Sequence, residues 1–252
     1  MGFTDMIPNK QSQNRTINYI LKTNADVVCI QEGWMINEKT KKSDIANILP
    51  QIKEKYPYSS SLQNDLVILS KYPYKIISSK ITSKSEKSIA YALDIKGRRL
   101  NIINVHLESI GLTEVDKKIY IDLTTLKDLN STNTVAKVKK SLITKLSLAF
   151  KNRADQAEDI RAFLDSLQGP TILCGDFNDM PSSYSYNTIR GKEFSDAYSD
   201  CALGPTITYH ANRFYFRIDQ MLYRGDLKAV GIKRGEIDSS DHYPLLATFK
   251  WI

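Results

Sequence analysis

The sequence predicts an α/β protein. Short apolar runs of strand length recur along the chain, apolar residues at steps of three or four fill segments between them, and polar or acidic residues stand at the ends of several runs. The 252 residues carry a net charge of +7, with 42% hydrophobic and 25% charged residues, the usage of an ordinary globular protein rather than a fibre or a disordered chain. A chain of this length buries roughly 70–75% of its unfolded surface and needs no disulfide staples. No apolar run approaches the ~18 residues that cross a bilayer. The opening MGFTDMIPNKQSQNR holds no apolar signal-peptide core, so the default expectation is a cytoplasmic monomer.

The elements follow in order. Ile17, Ile20 and Leu21 predict a helix over roughly 12–23. Asp26 opens VVCI, a short buried strand ending at Gln31-Glu32. A short helix is expected over 47–55, and Leu66–Leu69 forms a second buried strand, stopped at Tyr72-Pro73. Lys75–Ile81 and Ile89–Ile95 read as strands, and Gly97 turns the chain into Leu100–Leu107. There Ile102, Asn104 and His106 share one face, and Ile103, Val105 and Leu107 the other. A polar stretch at 108–133 has no strong period. From Val138 a helical stripe (Val138, Leu142, Leu146, Ala149, Ala157, Ile160, Leu164, Leu167) predicts one or two helices, ended by Gly169-Pro170. Thr171–Cys174 is a third buried strand, and Ile207–Tyr209, Ile218–Tyr223, Ala229–Ile232 and Leu245–Trp251 read as strands. With no repeat and no linker, residues 1–252 are expected to form one domain, with a surface insertion at about 108–133 followed by helix to about 168. Cys29 and Cys174 lie in apolar runs, which suits reduced buried thiols.

The charge is uneven. Residues 1–110 carry +6, residues 111–153 carry +5, and residues 154–252 carry −4. A basic body around an acidic third suits a polyanion surface beside a carboxylate-rich site, and it also suits plain solvated Lys-rich faces. Interleaved aromatics for base stacking are sparse among the lysines from 137 to 151.

The candidate chemistry sits at strand ends: Glu32, His106, Asp176 and Asn178, Asp219, and Asp241-His242. Each has a plainer reading. Glu32 fits a turn cap, Asp176 with Asn178 fits an Asx turn, and the histidines fit satisfied edge positions. Asp219 inside a β-run needs a partner, and Arg217, two residues away on the same face, is the sequence-local one. Carboxylates with an Asn and two His, without Cys/His metal spacing, favour a hard cation such as Mg²⁺ or Mn²⁺ over Zn²⁺. The GxxxxGK[ST] phosphate loop and the GxSxG elbow are both absent.

Read in order, VVCIQE (27–32), DLVILSKYP (65–73), NIINVHL (101–107), ILCGDFND (172–179), RIDQM (217–221) and SSDHYPL (239–245) resemble the endonuclease/exonuclease/phosphatase superfamily. That group includes DNase I-like nucleases, exonuclease III-like repair enzymes, neutral sphingomyelinases and inositol-polyphosphate phosphatases. The resemblance runs from about residue 12 to the C-terminus. It implies a four-layer α-β-β-α sandwich of two mixed sheets with the site at one edge, and a divalent-metal-dependent phosphoesterase, nuclease-like or acting on a lipid or small molecule. By resemblance Glu32 and Asp241 are metal-site carboxylates, and His106 contacts the substrate phosphate. Asp176 and Asn178 position water and phosphate, and Asp219 with His242 forms an Asp–His pair. The chain departs from the family in two places. The resemblance places a strand with a metal-site Asn before the first helix, and Met1-Gly2-Phe3 falls about where that strand ends. A longer native chain is therefore expected to restore activity, with a membrane-tethered form as one version of it. Asn64-Asp65 also stands where many relatives have Glu-Gly, which leaves the holding of a histidine unassigned. The alternative of another class is a catalytically impaired polyanion-binding module.

Overall fold

A computed structural model describes residues 15–33, 42–60, 65–83, 87–111, 113, 115–116, 132–211 and 214–252, with the side chains of 42–48 and 132–142 outside that description. Most of the expected insertion at 108–133 therefore lies outside the described residues.

Helix α1 (Arg15–Thr23) leads into β1 (Val27–Ile30), and α2 (Lys42–Lys55) precedes β2 (Tyr58–Ser59) and β3 (Val67–Ser70). Strands β4 (Tyr74–Ser78), β5 (Ser88–Ile95) and β6 (Arg98–His106) form an antiparallel meander. One 35-residue helix, α3 (Thr132–Ser166), then leads to β7 (Thr171–Asp176). After α4 (Tyr184–Arg190), β8 (Ser195–Asp196) and α5 (Ala197–Cys201) come β9 (Asp219–Arg224), β10 (Leu227–Arg234) and β11 (Leu245–Trp251).

The strands make a six-stranded mixed sheet, β4-β5-β6-β7-β9-β8, whose parallel pair is β6 with β7. Facing it are β1-β3-β2 and the hairpin β10-β11. The period-two pattern of β6 sorts its side chains into two cores. Ile103, Val105 and Leu107 pack with Ala157, Ile160 and Leu164 of α3 and with Tyr186 and Ile189 of α4. Leu100 and Ile102 face Ile68, Val27 and Phe249 between the sheets. On the far side, Ile17 and Ile20 of α1 and Ile52 of α2 cover Ile30, Val67 and Leu69. The result is a four-layer α-β-β-α sandwich. Among the described residues β1 pairs only with β3, and β11 only with β10. The two edges face a cavity of about 880 Å³ lined by Cys29, Met221 and Phe249 among others. Cys29, Cys174 and Cys201 are free thiols, as expected of 29 and 174, but half-buried rather than buried, because Cys29 and Cys174 line this cavity.

Three expectations change. Ile207–Tyr209 is not a strand: Tyr209 makes isolated bridges to Phe216 and His242, because the following loop folds back onto the site. The helices α4 and α5 were not foreseen, since their segments carry too few apolar residues for a stripe. The charge partner of Arg217 is Asp196, at 2.5 Å, with the guanidinium over the Tyr198 ring. Arg217 is not the mate of Asp219.

Gly175 is the residue that the sheet cannot replace. Its φ is +148°, and a Cβ built there would lie 1.9 Å from the Val105 carbonyl oxygen of neighbouring β6. Backbone cannot retreat as a side-chain tip can, so Gly175→Ala is expected to destabilise the fold by about 3 kcal/mol or more, read as a lower urea midpoint. A midpoint equal to wild type would mean that β6 and β7 are not held this closely.

Candidate active site

The site lies where β6, β7 and β9 end or begin at one edge of the large sheet. The register sets His106 opposite Asp176, and Asp176 opposite Asp219. Three neighbouring strands therefore deliver three chemically active side chains at one level. A strand is stiff, so their spacing is set by the ladder rather than by a loop.

Each histidine is anchored by a carboxylate. His242 Nδ1 lies 2.8 Å from Asp219 Oδ2. His106 Nδ1 lies 2.9 Å from Asp65 Oδ2. The anchored Nδ1 carries the proton that donates to the carboxylate, which turns each Nε2 towards the centre. There Asp176 Oδ2 sits 4.0 Å from His106 Nε2 and 3.8 Å from His242 Nε2. These gaps are too long for hydrogen bonds and leave the inward nitrogens free to meet another group. The Tyr209 ring stands edge-on to His242, with centroids 5.0 Å apart.

Asp176 is itself held. Its Oδ1 accepts from the Asn178 backbone N–H at 2.7 Å, and its Oδ2 from Asn178 Nδ2 at 3.2 Å. Asn178 Nδ2 also donates to the Leu107 carbonyl at 3.0 Å. Asn178 takes φ +50°, a conformation that Asn tolerates. The Asx-turn reading and the site reading thus describe the same geometry. Behind it, Arg153, 1% exposed, meets Asp179 at 3.2 Å and donates to the Glu108 carbonyl.

The electrostatics are uneven. Burial works against a charged His242, but the Asp219 carboxylate outweighs it and holds the imidazole up at about 9. Burial would raise Asp219, yet the charge and hydrogen bond of His242 take it below the ordinary carboxylate range. Asp65 follows the same pattern: burial raises it, and the His106 hydrogen bond and charge more than offset that. Asp176 goes the other way. Burial pushes its carboxyl up, with His242 pulling down and Asp219 pushing up.

The structure therefore brings His106, Asp176, Asn178, Asp219 and His242 together. Glu32 joins them indirectly: it is exposed at the end of β1, with φ +55°, and its backbone N–H donates to Asp65 Oδ1 at 2.9 Å. Asp241 precedes His242 and is half-buried, its carbonyl accepting from the His210 N–H. Among the described residues no three His, Cys, Asp or Glu side chains form a metal-holding group. Mg²⁺ does not need one, because one or two carboxylates with waters and phosphate oxygens complete its shell. The hard oxygen donors of Glu32 and Asp241 fit that chemistry. The sequence alone assigns Asp65 no partner. It occupies the same kind of position as the others, a carboxylate at the tip of an apolar run, and it anchors His106. Thr208 was also missed: its hydroxyl accepts from the backbone N–H groups of Ile218 and Asp219 and fixes the start of β9.

This sandwich defines the DNase I-like class of folds. A profile of the Endonuclease/Exonuclease/phosphatase family matches residues 5–242, and the chain belongs to that family. It is accordingly a hydrolase acting on phosphoester bonds, in a superfamily of metal-dependent phosphoesterases. The human Nocturnin catalytic domain with bound sulfate is 16% identical, with 98% of this chain and 88% of that chain covered and a TM-score of 0.63. A beta toxin mutant from Staphylococcus aureus, with bound magnesium ions, is 16% identical over 95% of this chain and 93% of that one, at TM-score 0.57. Sphingomyelinase C from Streptomyces griseocarneus is 16% identical over 98% and 96%, at TM-score 0.54. No curated protein matches the chain in sequence.

Proposed function

We propose that this chain hydrolyses a phosphodiester by direct in-line attack of water, with no covalent enzyme intermediate. The observation that supports this most is the pair of carboxylate-anchored imidazoles whose Nε2 atoms flank Asp176 Oδ2 at 4.0 and 3.8 Å. A phosphoryl group repels an attacking hydroxide until its charge is offset. Mg²⁺ or Mn²⁺ held by Glu32 and Asp241 would supply that offset and stabilise the added charge of the transition state. Asp176 orients the water and takes up its proton. Asn178, fixed to Asp176 and to the Leu107 carbonyl, holds that carboxylate in place. His242, kept charged by Asp219, donates to a phosphate oxygen, and His106, anchored on Asp65, contacts the phosphate from the other side. A non-catalytic polyanion-binding module is the weaker reading, because binding anions does not call for an acid buried between two anchored imidazoles.

The test is hydrolysis of bis-p-nitrophenyl phosphate with Mg²⁺ or Mn²⁺, and its loss in a chelator. Glu32→Gln is expected to raise the Mg²⁺ concentration for half-maximal turnover by about tenfold or more, since it removes one of two anionic donors. An unchanged metal dependence would take Glu32 out of the metal site. No turnover by the wild type with any divalent cation would remove the phosphodiesterase reading.

A further inference from the structure

The register that sets three side chains at one level extends to a further strand. Ser88 of β5 pairs with Val105, and Ile89 with Asn104, so Lys87, one residue before β5, stands opposite His106. The His106 N–H donates to the Lys87 carbonyl at 2.8 Å, as that register requires. Residues directly opposite on antiparallel strands point to the same face of the sheet. Ile89 and Tyr91 continue the face of Lys87 along β5, and both pack in the core between the sheets with Ile102, which shares its face of β6 with His106. Lys87, His106, Asp176 and Asp219 therefore form one row across β5, β6, β7 and β9. At a strand spacing of ~4.8 Å, the backbone of Lys87 stands ~5 Å from that of His106 and ~10 Å from that of Asp176.

The side chain has no counter-ion of its own. Lys87 is half-buried, and among the described residues its ammonium makes no ion pair and no hydrogen bond. Its charge is felt at Asp65. The oxygens of Asp65 are already engaged, by the His106 ring at 2.9 and 3.1 Å and by the Glu32 N–H at 2.9 Å. A solvated lysine at a strand entry is the plainer reading. Against it stand the inward-facing register and the influence on Asp65, which together place the ammonium on the His106 flank of the site. An ammonium partly withdrawn from water gains by meeting an anion there.

We propose that Lys87 is a substrate-contacting residue, donating to a non-bridging phosphoryl oxygen on the His106 side of the site. His106 spends Nδ1 on Asp65 and has only Nε2 to offer an anion. An ammonium brings three donors on a flexible four-carbon stem. His242 closes the opposite end of the row through Asp219, so the phosphoryl group meets a cationic side chain on each flank of Asp176. The inference rests on the phosphodiesterase reading for the reaction that this contact serves, but not for the anion binding itself.

The test is binding of inorganic phosphate in the presence of Mg²⁺, followed by phosphorus NMR, beside turnover of bis-p-nitrophenyl phosphate. Lys87→Gln is expected to weaken phosphate binding by about tenfold or more and to lower kcat/KM by a similar factor, as the loss of one hydrogen bond from a charged donor implies. Lys87→Arg keeps the charge and is expected to stay within about threefold of wild type. On a His106→Ala background, Lys87→Gln is expected to cost a further factor of about five or more. No further loss on that background would mean that Lys87 acts only through Asp65 and His106, and overturns the contact. Phosphate affinity equal to wild type in Lys87→Gln, or no phosphate bound by wild type, overturns it too. Phosphate binding that falls with Lys87→Gln in a protein without turnover removes the phosphodiesterase reading and leaves the contact standing. Turnover with a phosphate affinity that Lys87→Gln leaves unchanged does the reverse.

Discussion

Asp176→Asn is expected to lower turnover of bis-p-nitrophenyl phosphate by about 10³-fold, within the range measured for removing a general acid or base, while the protein stays folded. The replacement keeps size and shape, and its amide oxygen can still accept the Asn178 backbone N–H that now meets Oδ1 at 2.7 Å. It removes the one carboxylate that both inward imidazole nitrogens face. Asp176 is 5% exposed, and burial already raises its affinity for a proton, which suits a group that takes one from water. Far-UV circular dichroism and the urea midpoint check the fold. A rate within tenfold of wild type would leave Asp176 a structural Asx residue.

Asp219→Asn carries the second large effect, on activity and on stability together. An amide at 219 no longer favours a charged His242 or selects its tautomer, so turnover is expected to fall on the order of 10³-fold, as when the carboxylate behind a catalytic histidine is lost. The stability effect has a definite pH window. The His242 imidazole is raised from an ordinary 6.5 to about 9. Its contribution is therefore fully present below about pH 6.5 and is lost as pH rises through about 9. Asp219 is lowered from 3.8, so its contribution is present above about pH 4 and is lost as pH falls through the depressed value. In a chelator, the gap between wild type and Asp219→Asn is expected to be roughly 2–3 kcal/mol near pH 6 and to shrink towards pH 9.5. His242 is 13% exposed in its side chain, so solvent screens the pair only weakly. A gap that does not change between these two pH values would mean that the ion pair contributes nothing to folding.

Much of this protein was legible in its order of residues. The alternation in β6 already separated Ile103, Val105 and Leu107 from Ile102, Asn104 and His106, and these became two different cores. Period-two and helical patterns are readable because a side chain's direction follows from local backbone geometry alone. The short helices α4 and α5 were missed for the complementary reason. Each is held by contacts such as Tyr186 Oη to Asp196 at 2.9 Å, between residues that no local pattern links.

The same division runs through the site. Position at the end of an apolar run picked out Glu32, His106, Asp176, Asn178, Asp219, Asp241 and His242, because strands hand their terminal side chains to an edge. Which of these side chains serve one another was not legible. Arg217 is nearer to Asp219 in sequence than His242 is, yet it turns to Asp196, and Asp65, 41 residues from His106, is the group that anchors it. By itself the chain determined the strands, the two-sided cores and the set of polar tips. Only the tertiary structure decided the pairing, because the register of three neighbouring strands and the folding back of two loops fix distances between residues far apart along the backbone.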